Sequence, residues 1–268
     1  MICDNCPHKC DIKEGFSGFC KTRKIENGKL VNANYGEVTS IALDPIEKKP
    51  LRRFMPHSYI LSVGFWGCSM SCPWCQNDSI SRGEANSIFI SPEELVVKAL
   101  QIPNNIGIAY TYNEPLISFD YVKETAELAH KHNLKNVLVT NGMVTKEKFL
   151  GLIPFIDALN VDLKTIDSTK YASIGGDLDA IFETIRISAK TAHVEATTLI
   201  VPGFNDNEEE MEKLAQTLAG INSELPLHVT RFFPAGNMKN VAPTPVKTVY
   251  EMANIARRHL KYVYEGNV

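Results

Sequence analysis

From about residue 51 onward, short apolar runs alternate with amphipathic stretches, the pattern of βα units rather than of an all-helical or all-strand chain. The runs predict strands at Tyr59 to Phe65, Ile106 to Tyr110, Asn136 to Thr140, Ala158 to Leu163, Val194 to Val201 and His228 to Phe233. Helices are expected between them. Ser91-Pro-Glu-Glu opens one with an N-cap residue, a proline at the first helical position and early carboxylates. Phe119 to His132 forms another, Glu208 to Leu218 a third whose acidic first turn suits the helix dipole, and Val246 to Leu260 the last. Six such units in parallel make an α/β fold, an incomplete (β/α)6 barrel over residues 51–268, with functional side chains at the C-terminal ends of its strands.

Residues 1–50 read differently, as a cysteine-rich segment and a connector. Cys3-x2-Cys6-x3-Cys10-x9-Cys20 carries Gly15 and Gly18 between its last two cysteines. So short a stretch cannot recover its conformational entropy by burial, and a metal or a neighbouring domain has to hold it. The thiols suit structural zinc, a second iron–sulfur cluster or a site that exchanges ligands. His8 is read as a surface residue and Lys48-Lys49 as solvated.

Composition narrows the setting. With 268 residues, 44% hydrophobic and 22% charged, the chain can build a sizeable core. A formal net charge of -3 gives no global attraction to nucleic acid or anionic membrane. No apolar run reaches membrane-spanning length, and Met-Ile-Cys lacks the layout of a signal peptide. A cytoplasmic location is expected, where clustered cysteines act as metal ligands or redox groups rather than disulfides.

The remaining cysteines stand as Cys68-Ser-Met-Ser-Cys72-Pro-Trp-Cys75, directly after the first predicted strand. This spacing lets three thiolates hold three corners of a four-iron cluster and leaves one iron open, whereas electron-transfer clusters are normally closed by a fourth cysteine. A zinc site completed by a histidine is the alternative. Polar groups gather where the barrel pattern places function: Thr111-Tyr-Asn-Glu-Pro115, Thr140-Asn-Gly142, Asp162 and Lys164 on one side of a strand, Glu195 with Thr197 and Thr198, and Arg231. His193 and His228 read as packing residues.

Together these features resemble the radical SAM superfamily, in which the open iron of a four-iron cluster chelates S-adenosylmethionine (SAM) and one electron cleaves its sulfonium to start radical chemistry. The resemblance implies a 4Fe-4S cluster on Cys68, Cys72 and Cys75, SAM as cofactor, and a reductant such as flavodoxin or ferredoxin. It sets Trp74 against the adenine, and it matches Thr111 and Glu114 to the segment that meets the methionyl amine. By the same resemblance Asp162 and Lys164 are expected to line the SAM site, with Lys164 facing the methionyl carboxylate. Thr140, Asn141, Thr197 and Arg231 are expected to complete the cofactor-binding set.

Thr140-Asn-Gly, Asp-Leu-Lys and Val201-Pro-Gly-Phe-Asn-Asp are similar to segments of the activating enzymes of glycyl radical proteins. Cys6-Pro-His-Lys-Cys10, Leu43-Asp-Pro-Ile-Glu-Lys-Lys-Pro-Leu51, Cys75-Gln-Asn, Tyr110-Thr-Tyr-Asn-Glu-Pro and Tyr262-Val-Tyr-Glu-Gly-Asn-Val268 resemble the radical SAM member of the AmmeMemoRadiSam system from end to end. The substrate is then a small molecule or a protein. Activation of a glycyl radical partner, and a non-catalytic iron–sulfur or zinc-stabilised scaffold, are the other readings.

Overall fold

The computed structural model describes residues 1–268. Its first elements are the hairpin strands β1 (Arg23–Glu26) and β2 (Lys29–Asn32). The turn between them is Asn27-Gly28, with φ of 52 and 71°, the left-handed pair that matches strand twist in a two-residue hairpin. Next comes β3 (Glu37–Val38), which pairs antiparallel with β6 (Ile88–Phe89). The main sheet contains β4 (Ser40–Pro45), β5 (Tyr59–Gly64), β7 (Asn105–Tyr110), β8 (Lys135–Thr140), β9 (Ala158–Asp162), β10 (His193–Ile200), β11 (Leu227–Arg231) and β12 (Val263–Gly266). Their order is β12-β11-β10-β9-β8-β7-β5-β4. Every pairing from β5 to β12 is parallel, and β4 runs antiparallel to β5.

Helices return the chain between parallel strands: α1 (Asp78–Ser81) and α2 (Pro92–Gln101) before β7, α3 (Phe119–Lys131) before β8, and α4 (Lys146–Leu150) before β9. Then come α5 (Ser168–Ser173) and α6 (Leu178–Ser188) before β10, α7 (Glu208–Ile221) before β11 and α8 (Val246–Ala256) before β12. The expected start of α2 is present as a reciprocal capping box between Ser91 and Glu94, with Pro92 at its first position. The Asn207 side chain caps α7 ahead of its three glutamates. Alternate strand residues such as Ile108, Tyr110, Leu138 and Leu159 pack with the helices in one large core. The opposite positions Ile60, Ala109, Val137 and Ala158 form a small cluster closed by Ile46 and Leu51. No helix is long and apolar enough to cross a membrane.

Three features depart from the pattern reading. Ser40–Pro45, expected to be connector, is an edge strand, so the sheet starts ahead of the expected division at residue 50. A further parallel strand, β12, follows the six predicted ones. Lys49, expected in solvent, is only 2% exposed, because Asp44 Oδ2 takes its ammonium at 2.8 Å and also accepts from Tyr112 Oη at 2.7 Å.

Glu195 sits near the start of β10 rather than at its C-terminal end. Its carboxylate accepts from the Arg52 and Arg53 amides at 3.0 and 2.7 Å and from His193 and His228 Nε2 at 2.8 and 2.6 Å. His193 and His228, expected to be packing residues, are both held by the Glu195 carboxylate.

Candidate cofactor site

The loop from Phe65 to Cys75 leaves the C-terminal end of β5, and neighbouring strand ends brace it. Phe65 N donates to Asn113 Oδ1 at 3.0 Å, and Asn113 Nδ2 donates to Gly67 O at 3.0 Å. Further along, Ser71 N bonds Ile174 O at 2.9 Å, Arg82 donates to Cys72 O at 2.9 Å, and Asn237 N bonds Pro73 O at 2.7 Å. Gly67 has a φ of 87°, and a Cβ there would stand 2.6 Å from Cys20 O, so the loop requires glycine at this corner.

Cys72 is buried, Cys68 and Cys75 are half-buried, and all are free thiols. The Cys68 sulfur accepts from Met70 N at 3.4 Å and Asn141 Nδ2 at 3.7 Å. Burial pushes both the Cys68 and the Cys72 thiol up, so a metal centre has to displace their protons to bind. No group of three or more His, Cys, Asp or Glu side chains is drawn close enough to hold a single ion. The fit therefore rests on donor chemistry: three thiols on one braced loop, N–H groups aimed at the Cys68 sulfur, and a cation whose charge acts on Cys68 and Cys72. That set suits an iron–sulfur cluster.

The cation is Lys164. Its ammonium pairs with Asp162 Oδ2 at 3.0 Å, with side-chain exposures of 17% and 39%. Burial alone would lower its pKa, but Asp162, Cys72 and Tyr171 outweigh this and hold it above the ordinary lysine range. Tyr171 Oη accepts from Lys164 N at 2.7 Å, and Asn205 Nδ2 donates to Lys164 O at 2.7 Å. The backbone of Asp-Leu-Lys is thus fixed while its two charged side chains remain available. Thr197, opposite Asp162 across the β9–β10 ladder, has a buried hydroxyl with no partner. Such an orphan marks a position that a ligand can satisfy.

Glu114 has a different part. Its carboxylate accepts from Leu116 N at 2.8 Å, Thr140 Oγ1 at 2.7 Å and Asn141 N at 2.7 Å. Burial pushes it up to about 7 against those three donors. Glu114 and Thr140 are tied to each other, whereas Asn141 reaches Ser69 Oγ at 3.1 Å and so supports the loop itself. Thr111 is buried, with its amide on Val63 O. Trp74 is buried against Phe204, ring centroids 4.5 Å apart. Arg231 donates Nε to Thr244 O at 2.7 Å and lies over Phe233. Replacing Glu114 with alanine orphans three donors, and we expect a loss of about 2–4 kcal/mol in urea unfolding.

Sequence reasoning missed Ser69, Asn113, Tyr171 and Asn205, all of which position the loop or Lys164. Asn113 and Asn205 lay inside segments singled out for other reasons. Tyr171 gave no signal beyond being an aromatic on a short helix.

The profile of the radical SAM superfamily matches residues 65–218. The chain is 39% identical over 272 aligned positions to an uncharacterized protein of Methanocaldococcus jannaschii, covering 99% of this chain and 81% of that one. It is 22% identical to the 4-hydroxyphenylacetate decarboxylase activating enzyme of Clostridium scatologenes, over 60% of this chain and 54% of that protein. Among solved structures, a domain of a pyruvate-formate lyase-activating enzyme from Bacteroides vulgatus superposes with a TM-score of 0.52 at 16% identity, covering 60% of this chain and 99% of that domain.

Proposed function

The chain belongs to the radical SAM superfamily, and we propose that Cys68, Cys72 and Cys75 hold a 4Fe-4S cluster whose open iron binds SAM. When bound, the cluster supplies the single electron that cleaves SAM and begins radical chemistry on the substrate. The observation that carries this reading is the braced three-thiol loop together with the Lys164–Asp162 pair, whose ammonium charge acts on both Cys68 and Cys72.

The parallel sheet is read as an incomplete barrel of six βα units, with a separate cysteine-rich segment ahead of β4. On this reading the chain's own residues take the following roles at the C-terminal ends of the strands. Lys164 takes the methionyl carboxylate as a point charge, and Asp162 orients that ammonium. The Thr197 hydroxyl gains the partner it lacks. Trp74, held by Phe204, offers its face to the adenine, while Asn141 and Asn113 keep the loop in register. Thr111, Glu114 and Thr140 support the cofactor from behind, and Arg231 closes the far side. Electrons come from a protein such as flavodoxin or ferredoxin, in the cytoplasm, and the four N-terminal cysteines hold a second metal centre.

Replacing Lys164 with alanine removes one charge-assisted contact. SAM affinity, measured by titration under anaerobic conditions, is expected to fall by about 1–3 kcal/mol. Unchanged affinity would return Lys164 to a structural role.

As to type, the end-to-end motif match favours the AmmeMemoRadiSam member, acting on a small molecule or a protein. The activating-enzyme relatives favour a second reading, hydrogen abstraction from the glycine of a partner protein. Transfer of label from partner glycine into 5'-deoxyadenosine distinguishes them: label transfer supports the activase, and its absence with intact SAM cleavage supports the first.

A further inference from the structure

The N-terminal segment has almost no core of its own: its buried cluster is Cys3, Ile12 and Ile25, with Cys10 and Leu30 against it. Cys3, Cys6, Cys10 and Cys20 are not drawn into the coordination shell of a single ion, but they line one small pocket, shared with His8 and Arg23, and all are free thiols. Phe19 N donates to Cys10 Sγ at 3.4 Å. Lys9 and Lys21, each beside a cysteine, take φ of 42 and 68°, a strained conformation that persists only where the surroundings over-determine it. A thiophilic metal on four thiols supplies the cross-link that burial does not.

This segment is docked on the loop that carries Cys68, Cys72 and Cys75. His8 Nε2 lies 2.8 Å from Ser69 O, and its ring stacks on Phe19 at 4.2 Å. Because the partner is a carbonyl, Nε2 carries the proton. Cys20 O and Thr22 Cγ2 close on Gly67 so tightly that a Cβ would stand about 2.6 and 2.5 Å from them. Asn5 Nδ2 donates to Leu116 O at 2.8 Å, and Arg23 pairs with Asp120 at 2.9 Å.

We propose that Cys3, Cys6, Cys10 and Cys20 bind a thiophilic metal centre, zinc or an iron–sulfur cluster, whose occupancy holds the Cys68–Cys75 loop in place through the His8–Ser69 hydrogen bond. This rests on the radical SAM reading only in taking that loop as the cofactor loop. Without its metal the segment loses its cross-link, His8 leaves Ser69, and the loop loses one of its braces. His8 is a positioning residue.

Metal analysis of the full-length Cys68→Ala/Cys72→Ala/Cys75→Ala variant, purified anaerobically, isolates the N-terminal site. Stoichiometric zinc, or iron with matching sulfide, is the expected result and tells the two metals apart; a metal-free variant overturns the site. Coupling is read in the otherwise wild-type chain by amide hydrogen exchange at Met70 and Ser71. His8→Ala and Cys10→Ser are expected to quicken exchange about tenfold, the loss of roughly one hydrogen bond, and His8→Gln, which keeps an N–H donor, to restore slow exchange. Unchanged exchange in both His8→Ala and Cys10→Ser overturns the coupling. Wild-type protein that holds the N-terminal metal and slow exchange but never cleaves SAM would sink the radical SAM reading and leave the metal clamp standing.

Discussion

Replacing Cys72 with alanine is expected to reduce reductive SAM cleavage to the background of reductant alone while leaving the sheet folded. Cys72 is the most buried of the three loop cysteines, at 8% exposure, and the Lys164 charge acts on it as it does on Cys68. With two thiols left, a four-iron cluster has too few protein ligands, so the open iron that would chelate SAM is not held in place. The fold does not depend on this sulfur. The loop's backbone is fixed by Ser71 N on Ile174 O, by Asn237 N on Pro73 O and by the Arg82 guanidinium on Cys72 O, none of which uses the Cys72 side chain. Circular dichroism and the thermal midpoint therefore stay close to wild type while 5'-deoxyadenosine production disappears. Cleavage that persists in the variant would remove the catalytic reading of the loop.

The largest effect on stability is expected from Glu195, far from the cysteine loop. Glu195→Ala leaves His193, His228 and two backbone amides without their acceptor in the interior, and we expect a cost of about 3–5 kcal/mol in denaturant unfolding. Burial alone would raise the Glu195 pKa, but His193, His228 and the Arg52 and Arg53 amides outweigh it and bring it down to about 2. A carboxylate depressed from 4.5 stabilises the fold above the unfolded value and loses that contribution as pH falls through the folded one. Between pH 4.5 and about 2, at about 1.4 kcal/mol per pH unit, the loss is about 3 kcal/mol. Glu195→Gln should lack this acid slope, and an unchanged slope would mean that other carboxylates carry it.

The parts of the fold that repeat were legible. Apolar runs marked β5, β7, β8, β9, β10 and β11, because each packs against helices and keeps a continuous hydrophobic signature. The edge strand β4 was not, since Ile41, Ala42 and Leu43 are exposed and Asp44 is its one buried side chain. Lys49 was misjudged for a related reason: its burial depends on Asp44 and Tyr112, the second of them remote in sequence. At the site, residue types and spacing singled out the cysteines, Asp162 and Lys164. Spacing says nothing about which backbone groups a loop leaves open, and Asn113, Tyr171 and Asn205 serve those groups. The same limit explains Glu114, whose carboxylate is engaged by Thr140 and the Asn141 amide.

Electron paramagnetic resonance of the anaerobically reduced protein, before and after adding SAM, with iron and sulfide measured on the same sample, tests the central claim most directly. A four-iron signal that shifts when SAM is added is the predicted result, because SAM would then ligate the iron that Cys68, Cys72 and Cys75 leave open. Zinc without iron, or a four-iron signal indifferent to SAM, would contradict it.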